Sequence, residues 1–122
     1  MEDHLSTDVL IVGGGLVGGT LGCALATGGL RSIVIDRENI EQQDTEDFDG
    51  RATAVSQTAM KMLQTIGVET DLKDRKSPIL EIRVADGHSH LFLHFDHQDV
   101  SEEPLGYMIE NQFLRRAIFR AS

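Results

Sequence analysis

The chain has no tryptophan, one tyrosine, one cysteine, and only 11 basic residues against 20 acidic ones. Each shortage excludes something. With Cys23 alone, an intrachain disulfide is impossible, and a free thiol fits a reducing compartment. Cys23 stands among small residues and reads as a packed side chain. The net charge of −9 argues against nucleic acid as a partner, because that binding rests on basic groups that neutralise phosphates. The acids crowd one stretch, Glu38, Glu41, Asp44, Glu46, Asp47 and Asp49, without an intervening Lys or Arg. Their spacing departs from a calcium-loop pattern, so they read as a solvated connecting loop. The opening Met1-Glu-Asp-His is acidic and fits neither a signal peptide nor a mitochondrial presequence. At 122 residues and 40% hydrophobic content, the chain is one domain's worth at most, with enough apolar matter for a core.

What is abundant is glycine, and it is concentrated. Asp8-Val-Leu-Ile-Val leads into Gly13, Gly14 and Gly15, a second apolar run follows, and Ile33-Val-Ile closes on Asp36. That order describes a strand, a tight turn, a helix and a second strand ending in a carboxylate. Gly13 permits the turn, Gly15 lets backbone approach phosphates without a Cβ, and Gly18 lets the helix pack closely on the strand. The first helical turn offers unpaired N–H groups and a positive dipole end to an anion. Asp36 lies about 20 residues on, where an acid hydrogen-bonds ribose hydroxyls. The pattern predicts a dinucleotide site.

Residues 9–30 are uncharged and long enough for a membrane span of roughly 20 residues, and Gly15/Gly19 and Gly18/Gly22 have the spacing of packed membrane helices. Against this, each glycine costs a continuous helix about 1 kcal/mol relative to alanine, and these are clustered.

Further along, Val55, Ala59, Met62, Leu63 and Ile66 recur at helical spacing, with Gly67 placed to end the helix. A polar stretch, 69–77, leads to Pro78. Leu80, Ile82 and Val84 alternate with Glu81 and Arg83 as a strand with one wet face; Asp86-Gly87 marks a turn, and Leu91, Leu93 and Phe95 alternate on the way back. A short strand at 107–109 precedes a third helix with Phe113, Leu114, Ala117 and Ile118 on one face. The helix meets no stop signal before Ser122, and the parallel sheet has only two strands, so the chain is expected to be the N-terminal piece of a longer protein. No internal repeat or low-complexity segment is visible.

Three segments carry a resemblance. They are Gly13-Gly-Gly-Leu-Val-Gly with Gly22, Gly29 and Asp36; Asp49-Gly-Arg-Ala-Thr-Ala-Val-Ser, taken to open the second helix; and Leu105-Gly-Tyr-Met-Ile-Glu-Asn-Gln-Phe-Leu-Arg-Arg-Ala-Ile. Together they resemble the FAD-dependent aromatic hydroxylases of the para-hydroxybenzoate hydroxylase type, and among these the ubiquinone-biosynthesis hydroxylases. The resemblance implies an α/β fold: the N-terminal part of a Rossmann-like FAD-binding domain with an inserted antiparallel hairpin. Its implied parts are a βαβ dinucleotide unit over 1–36, a loop and helix over 37–77, a hairpin and strand of the substrate-side sheet over 78–110, and a helix over 111–122 returning to the FAD domain.

Carried over by position, Gly13, Gly15, Leu16, Val17 and Gly18 would line the FAD pyrophosphate, and Asp36 would take the adenosine ribose. The family often has Glu there, and Asp keeps the acceptor with less reach. Arg37 would lie near the adenine and Arg51 over the phosphates, its fork of donors suited to bidentate binding. Asn111 would lie near the flavin, with Arg115 on the same helix entry. A loop salt bridge for Arg51 and a solvated face for Arg115 are the plainer alternatives. The implied activity is hydroxylation of a phenolic ring, such as a prenylated ubiquinone precursor, with NAD(P)H as reductant and dioxygen as co-substrate. No catalytic residue is assigned, because the family's Gly-Asp-Ala flavin motif does not occur in these residues. Other expectations are cytoplasmic residence, peripheral contact with the inner membrane or a biosynthetic complex, and inactivity of this chain in isolation. An alternative is another FAD- or NAD-dependent oxidoreductase.

His88, His90, His94 and His97, near Asp86 and Asp96, offer ligand-type side chains in a short span. Without thiolates or helical spacing they read as the wet face of a hairpin, and no metal is assigned. Ser56 and Cys23 have no adjacent base in sequence and do not suggest nucleophilic catalysis.

Overall fold

The computed structural model describes residues 4–39 and 50–121. The acidic run from Glu41 to Asp49 lies outside the described residues, whereas Glu38 is within them and exposed.

The first unit follows from the glycine pattern. Strand β1 (Val9–Val12) pairs in parallel with β2 (Ser32–Ile35), Val9 opposite Ser32 and Val12 opposite Ile35. Helix α1 (Leu16–Thr27) makes the crossover. Parallel pairing needs such a crossover, and β-branched runs suit the strands on either side. Small residues let α1 lie close: a Cβ on Gly22 would come within 3.2 Å of Val34 Cγ2 on β2. The helix closes where Gly28 donates its N–H to the Ala24 carbonyl and Gly29 takes a positive φ of 84°. The uncharged stretch is therefore strand, turn and helix. Among the described residues, no helix is long and apolar enough to cross a membrane.

The second unit departs from expectation at its start. Residues 52–56 form strand β3 (Ala52–Ser56), so Val55 belongs to a sheet rather than to a helix. Helix α2 (Gln57–Thr65) starts only after Ser56, whose Oγ accepts the Ala59 N–H as an N-cap. Such a cap satisfies one orphan donor and contributes about 1 kcal/mol. Ala59, Leu63 and Ile66 face the core as predicted, and the face takes in Met60 rather than Met62. Met60 and Leu63 are buried, while Met62 is 65% exposed and outside the core. Gly67, at φ 83°, ends the helix as predicted.

The polar stretch after Gly67 carries a single 3-10 turn (Glu69–Leu72) and strand β4 (Lys76–Ile79). Pro78 lies within β4, tolerated because β4 is an edge of the sheet, whose order is β3-β7-β4. Strands β5 (Glu81–Ala85) and β6 (Phe92–Asp96) form the expected hairpin, with Ile82 opposite Phe95 and Val84 opposite Leu93. Its apolar face is also open: every residue of β5 is exposed, as are Leu93 and Phe95 on β6. No described element packs over that face closely enough to cover it. Strand β7 (Gly106–Glu110) then runs antiparallel between β3 and β4 and leads into α3 (Asn111–Ala121).

The core lies between this sheet and the helices. Leu72 and Ile109 are fully buried, joined by Met60, Leu63, Val68, Leu114, Ala117 and Ile118. Burying one such large side chain contributes about 1.5–3 kcal/mol. Helix α3 also binds the two units together. A Cβ on Gly19 of α1 would stand 2.7 Å from Ile118 Cγ2, and the Cys23 Sγ lies 3.5 Å from the Ile118 carbonyl oxygen, which accepts its S–H. Burial pushes the Cys23 thiol above its usual value, which keeps it protonated and unreactive.

Candidate cofactor-binding site

The corner between β1 and α1 is built from bare backbone. Gly13 leaves the strand at φ 107°, a conformation side chains disfavour, and its N–H is anchored to the Ile35 carbonyl at 2.7 Å. A Cβ on Gly18 would collide with the Gly13 carbonyl oxygen, so glycine at 18 is what allows the helix to start so close to the strand. A Cβ on Gly15 would meet nothing within 4 Å. Gly15 thus faces open space, and its lack of a side chain answers no packing need within the described residues.

Gly15 is the N-cap of α1, no side chain caps that end, and no acid stands in the first turn. The amino end of α1 therefore keeps the positive end of its dipole uncompensated by its own residues. Unsatisfied N–H groups and positive partial charge together favour an anion.

Asp36 closes the corner on its other side. Its Oδ2 accepts the Gly14 N–H at 2.7 Å, and its Oδ1 accepts the Glu38 N–H at 2.9 Å. The hydrogen bond from Glu38, then that from Gly14 and the charge of Arg37, hold this carboxyl below the usual aspartate value. Each carboxylate oxygen has two acceptor positions, so the side chain is fixed in orientation yet can still accept from hydroxyls. A cleft of about 570 Å³ opens beside it, lined by Gly14, Gly22, Val34, Asp36, Ile118 and Phe119. It runs along α1 as far as Leu30 and Arg31, and Gly13, Gly15 and Gly18 are not part of its lining.

The remaining predicted residues divide between two places. Leu16 packs its side chain partly against the core, so only its backbone is available at the corner, whereas Val17 is 86% exposed. Arg37 is exposed just after Asp36. Arg51 is exposed directly before β3, and its carbonyl accepts the Asn111 N–H at 3.0 Å, which brings Arg51 and the start of α3 together. Arg115 is half-buried one turn further along α3. The Asn111 Oδ1 accepts the Thr53 hydroxyl at 2.6 Å. With Oδ1 engaged, the Asn111 amide presents its N–H donors to any further partner.

Two participants were missed. Gly14 supplies the N–H that orients Asp36, and Thr53 supplies the hydroxyl that orients Asn111. Both lie inside the quoted motifs, but their partners are 22 and 58 residues away, and no local signal marks them.

A βαβ unit with an uncapped glycine corner and an acid at the end of its second strand is the dinucleotide-binding unit of an α/β nucleotide-binding protein. The comparisons with known proteins narrow that class. The family model described as FAD binding domain matches residues 6–110, and the chain belongs to that family. The ubiquinone hydroxylase UbiL of Rhodospirillum rubrum is 51% identical over 111 residues, covering 91% of this chain and 26% of the relative. The 3-demethoxyubiquinol 3-hydroxylase of Escherichia coli is 31% identical over 117 residues, covering 94% and 30%. Among solved structures, p-nitrophenol 4-monooxygenase PnpA of Pseudomonas putida superposes with a TM-score of 0.68 at 21% identity, over 93% of this chain and 28% of that one. The chain thus spans between a quarter and a third of the length of these relatives.

Proposed function

We propose that this chain is the FAD-binding portion of a flavin-dependent monooxygenase that hydroxylates a phenolic ring, a prenylated ubiquinone precursor, with NAD(P)H and dioxygen. The observation that carries the reading is the open, uncapped glycine corner facing the oriented Asp36 carboxylate. The names of the two sequence relatives quoted above support the substrate class, since they are a ubiquinone hydroxylase and a 3-demethoxyubiquinol 3-hydroxylase.

The residues fit FAD. The backbone at Gly13, Gly15, Leu16, Val17 and Gly18 would receive the pyrophosphate, where the open space at Gly15 admits phosphate oxygens and the helix end stabilises their charge. Asp36 would accept from the ribose hydroxyls, with Arg37 beside the adenine. Arg51 would place its planar fork against the phosphates. Asn111, held by Thr53, would offer an amide N–H toward the flavin, and Arg115 would approach from the same helix. When bound, FAD supplies the electron acceptance from NAD(P)H and the oxygen activation. The chain's own part is to bind, orient and shield. No described residue is assigned a catalytic role, and the phenol is expected to be placed by other parts of the intact protein. Residence in the cytoplasm with peripheral contact at the inner membrane belongs to the same proposal, because a prenylated substrate partitions into lipid.

The test uses the intact protein. Purified protein should be yellow with flavin absorbance, and a phenolic ubiquinone precursor should stimulate NAD(P)H oxidation and yield a product heavier by one oxygen. Nicotinamide binding without flavin would instead identify a dehydrogenase and overturn the proposal.

A further inference from the structure

The hairpin gathers a group that the run of histidines does not suggest. Alternation along β6 puts His94 and Asp96 on one face, and the antiparallel register sets Glu81 of β5 directly opposite Asp96. One donor atom from each of Glu81, His94 and Asp96 lies within 4.8 Å of the other two. The other histidines are elsewhere: His88 and His90 lie between the strands, and the His97 ring is engaged with the Glu103 carbonyl at 3.2 Å.

We propose that Glu81, His94 and Asp96 form a surface site for a divalent transition cation, with Zn²⁺ as the ion that suits the donors. Four observations meet here. Two carboxylates directly opposite on paired strands repel, an arrangement that destabilises a hairpin unless a positive charge intervenes. The cation sharing this face leans the other way, with the Arg83 guanidinium lying over the Phe92 ring at 4.6 Å. Among the described residues, no basic side chain forms an ion pair with Asp96. The His94 Nε2 to Glu81 Oε2 separation is 3.6 Å, long for a hydrogen bond. Two donors on one tetrahedral Zn²⁺, each at about 2.0–2.1 Å, stand roughly 3.4 Å apart, so a small closure would seat both.

The donor set selects the ion. Imidazole with two carboxylates suits Zn²⁺, while Ca²⁺ takes six to eight oxygens and Mg²⁺ an octahedron of them. Three protein donors leave a fourth position for water. Asp96 is already steered, since its Oδ1 accepts the Gln98 N–H at 2.9 Å and leaves Oδ2 for the ion. Glu81 and His94 are exposed, so the ion has direct access. Bound there, it bridges the root of the hairpin, joining β5 to β6 at the end away from the turn. This site is independent of the FAD reading.

The experiment is calorimetric titration of Zn²⁺ into the intact, chelator-stripped protein. It should show one saturable site whose affinity falls at least about tenfold in His94→Ala and in Glu81→Gln, and stays unchanged in a His88→Ala/His90→Ala double variant. A readout on the unmodified sequence guards against misfolded variants: Zn²⁺ should shield His94 from diethyl pyrocarbonate while leaving His88 and His90 reactive. Absence of saturable binding, retained affinity in His94→Ala, loss in the double variant, or equal modification of His94 with and without Zn²⁺ would each overturn the proposal. Because the probe is the metal alone, failure here leaves the cofactor reading untouched.

Discussion

The Asp36 carboxylate accepts the backbone N–H of Gly14 across the mouth of the glycine corner at 2.7 Å. The acid that closes the second strand is thereby tied to the turn that opens the helix. Asp36→Ala removes both the ribose acceptor and the partner of Gly14. We expect FAD affinity of the intact protein to fall roughly tenfold to a hundredfold, the equivalent of one or two charge-assisted hydrogen bonds. Asp36→Asn keeps a carbonyl oxygen for Gly14 and should retain more cofactor than Asp36→Ala. Flavin titration by fluorescence quenching measures both, and equal affinity in Asp36→Ala and the parent would remove Asp36 from the site.

Gly15 and Gly18 predict opposite outcomes from the same substitution. Alanine at Gly18 would meet the Gly13 carbonyl oxygen, so the corner must open, at a cost of about 1–3 kcal/mol. Alanine at Gly15 meets nothing and sits at an ordinary φ of −74°. Gly15→Ala should leave the apo thermal midpoint unchanged or slightly raised while weakening FAD, whereas Gly18→Ala should lower the midpoint. Gly15→Val should abolish flavin retention. Thermal scans with and without added FAD separate these effects.

What could be read from the residues was what the residues decide locally. Strand β1, helix α1 and strand β2 stood out because consecutive apolar residues, clustered glycines and a terminal acid each have a local meaning. Strand β3 did not. Ala52, Thr53, Ala54, Val55 and Ser56 are small, show no bulky alternation, and run straight into a helical pattern. Their strand conformation comes from pairing with β7, Ala52 opposite Glu110, more than fifty residues away in the chain. On α2 the spacing placed Ala59, Leu63 and Ile66 toward the core correctly, but it put Met62 there where the helix buries Met60. Strand β4 was hidden by Pro78, which usually argues against a strand and here marks an edge. The site divided in the same way: the glycines and Asp36 are marked by spacing, while Gly14 and Thr53 act only through partners brought in by the fold.

Thr53 offers a test of that hidden layer. Thr53→Val keeps the branched shape on β3 but leaves Asn111 Oδ1 without its 2.6 Å donor. The expected loss is about 1–2 kcal/mol of stability, together with weaker FAD binding as the Asn111 amide becomes free to turn. Thr53→Ser restores a hydroxyl and should recover most of both. Similar stability in all three proteins would mean that the contact contributes little.

Arg51 carries the remaining cofactor prediction. Its carbonyl is tied to the Asn111 N–H, so the backbone stays in place when the side chain is shortened. Arg51→Ala should cost FAD binding on the order of 2 kcal/mol, while Arg51→Lys should recover only part because an ammonium cannot reproduce the bidentate fork. A flavin titration that ranks Ala equal to the parent would assign Arg51 to the protein surface alone.

Acid should loosen the edge strand as Glu69 protonates. Lys76 on β4 donates to Glu69 Oε1 at 2.9 Å, its ammonium lies 4.5 Å from the Tyr107 ring centre, and both members of the ion pair are largely shielded from solvent. The hydrogen bond from Lys76, followed by one from Gln64, holds the Glu69 carboxyl below its ordinary value of 4.5. A group with a lowered folded-state pKa binds fewer protons folded than unfolded, so its stabilisation is complete above 4.5 and disappears as pH falls through the lower folded value. The hydrogen-exchange protection factors of the β4–β7 amides, corrected for the intrinsic pH dependence of exchange, should therefore be high at neutral pH and fall as Glu69 protonates. Asp36, likewise depressed below its ordinary value of 3.8, should keep its ionised form, and with it the Gly14 contact, throughout the pH range above that value. In Glu69→Gln the protection at neutral pH should drop by about 1 kcal/mol and its acid dependence should flatten. An unchanged pH profile in that variant would show that another carboxylate controls the edge.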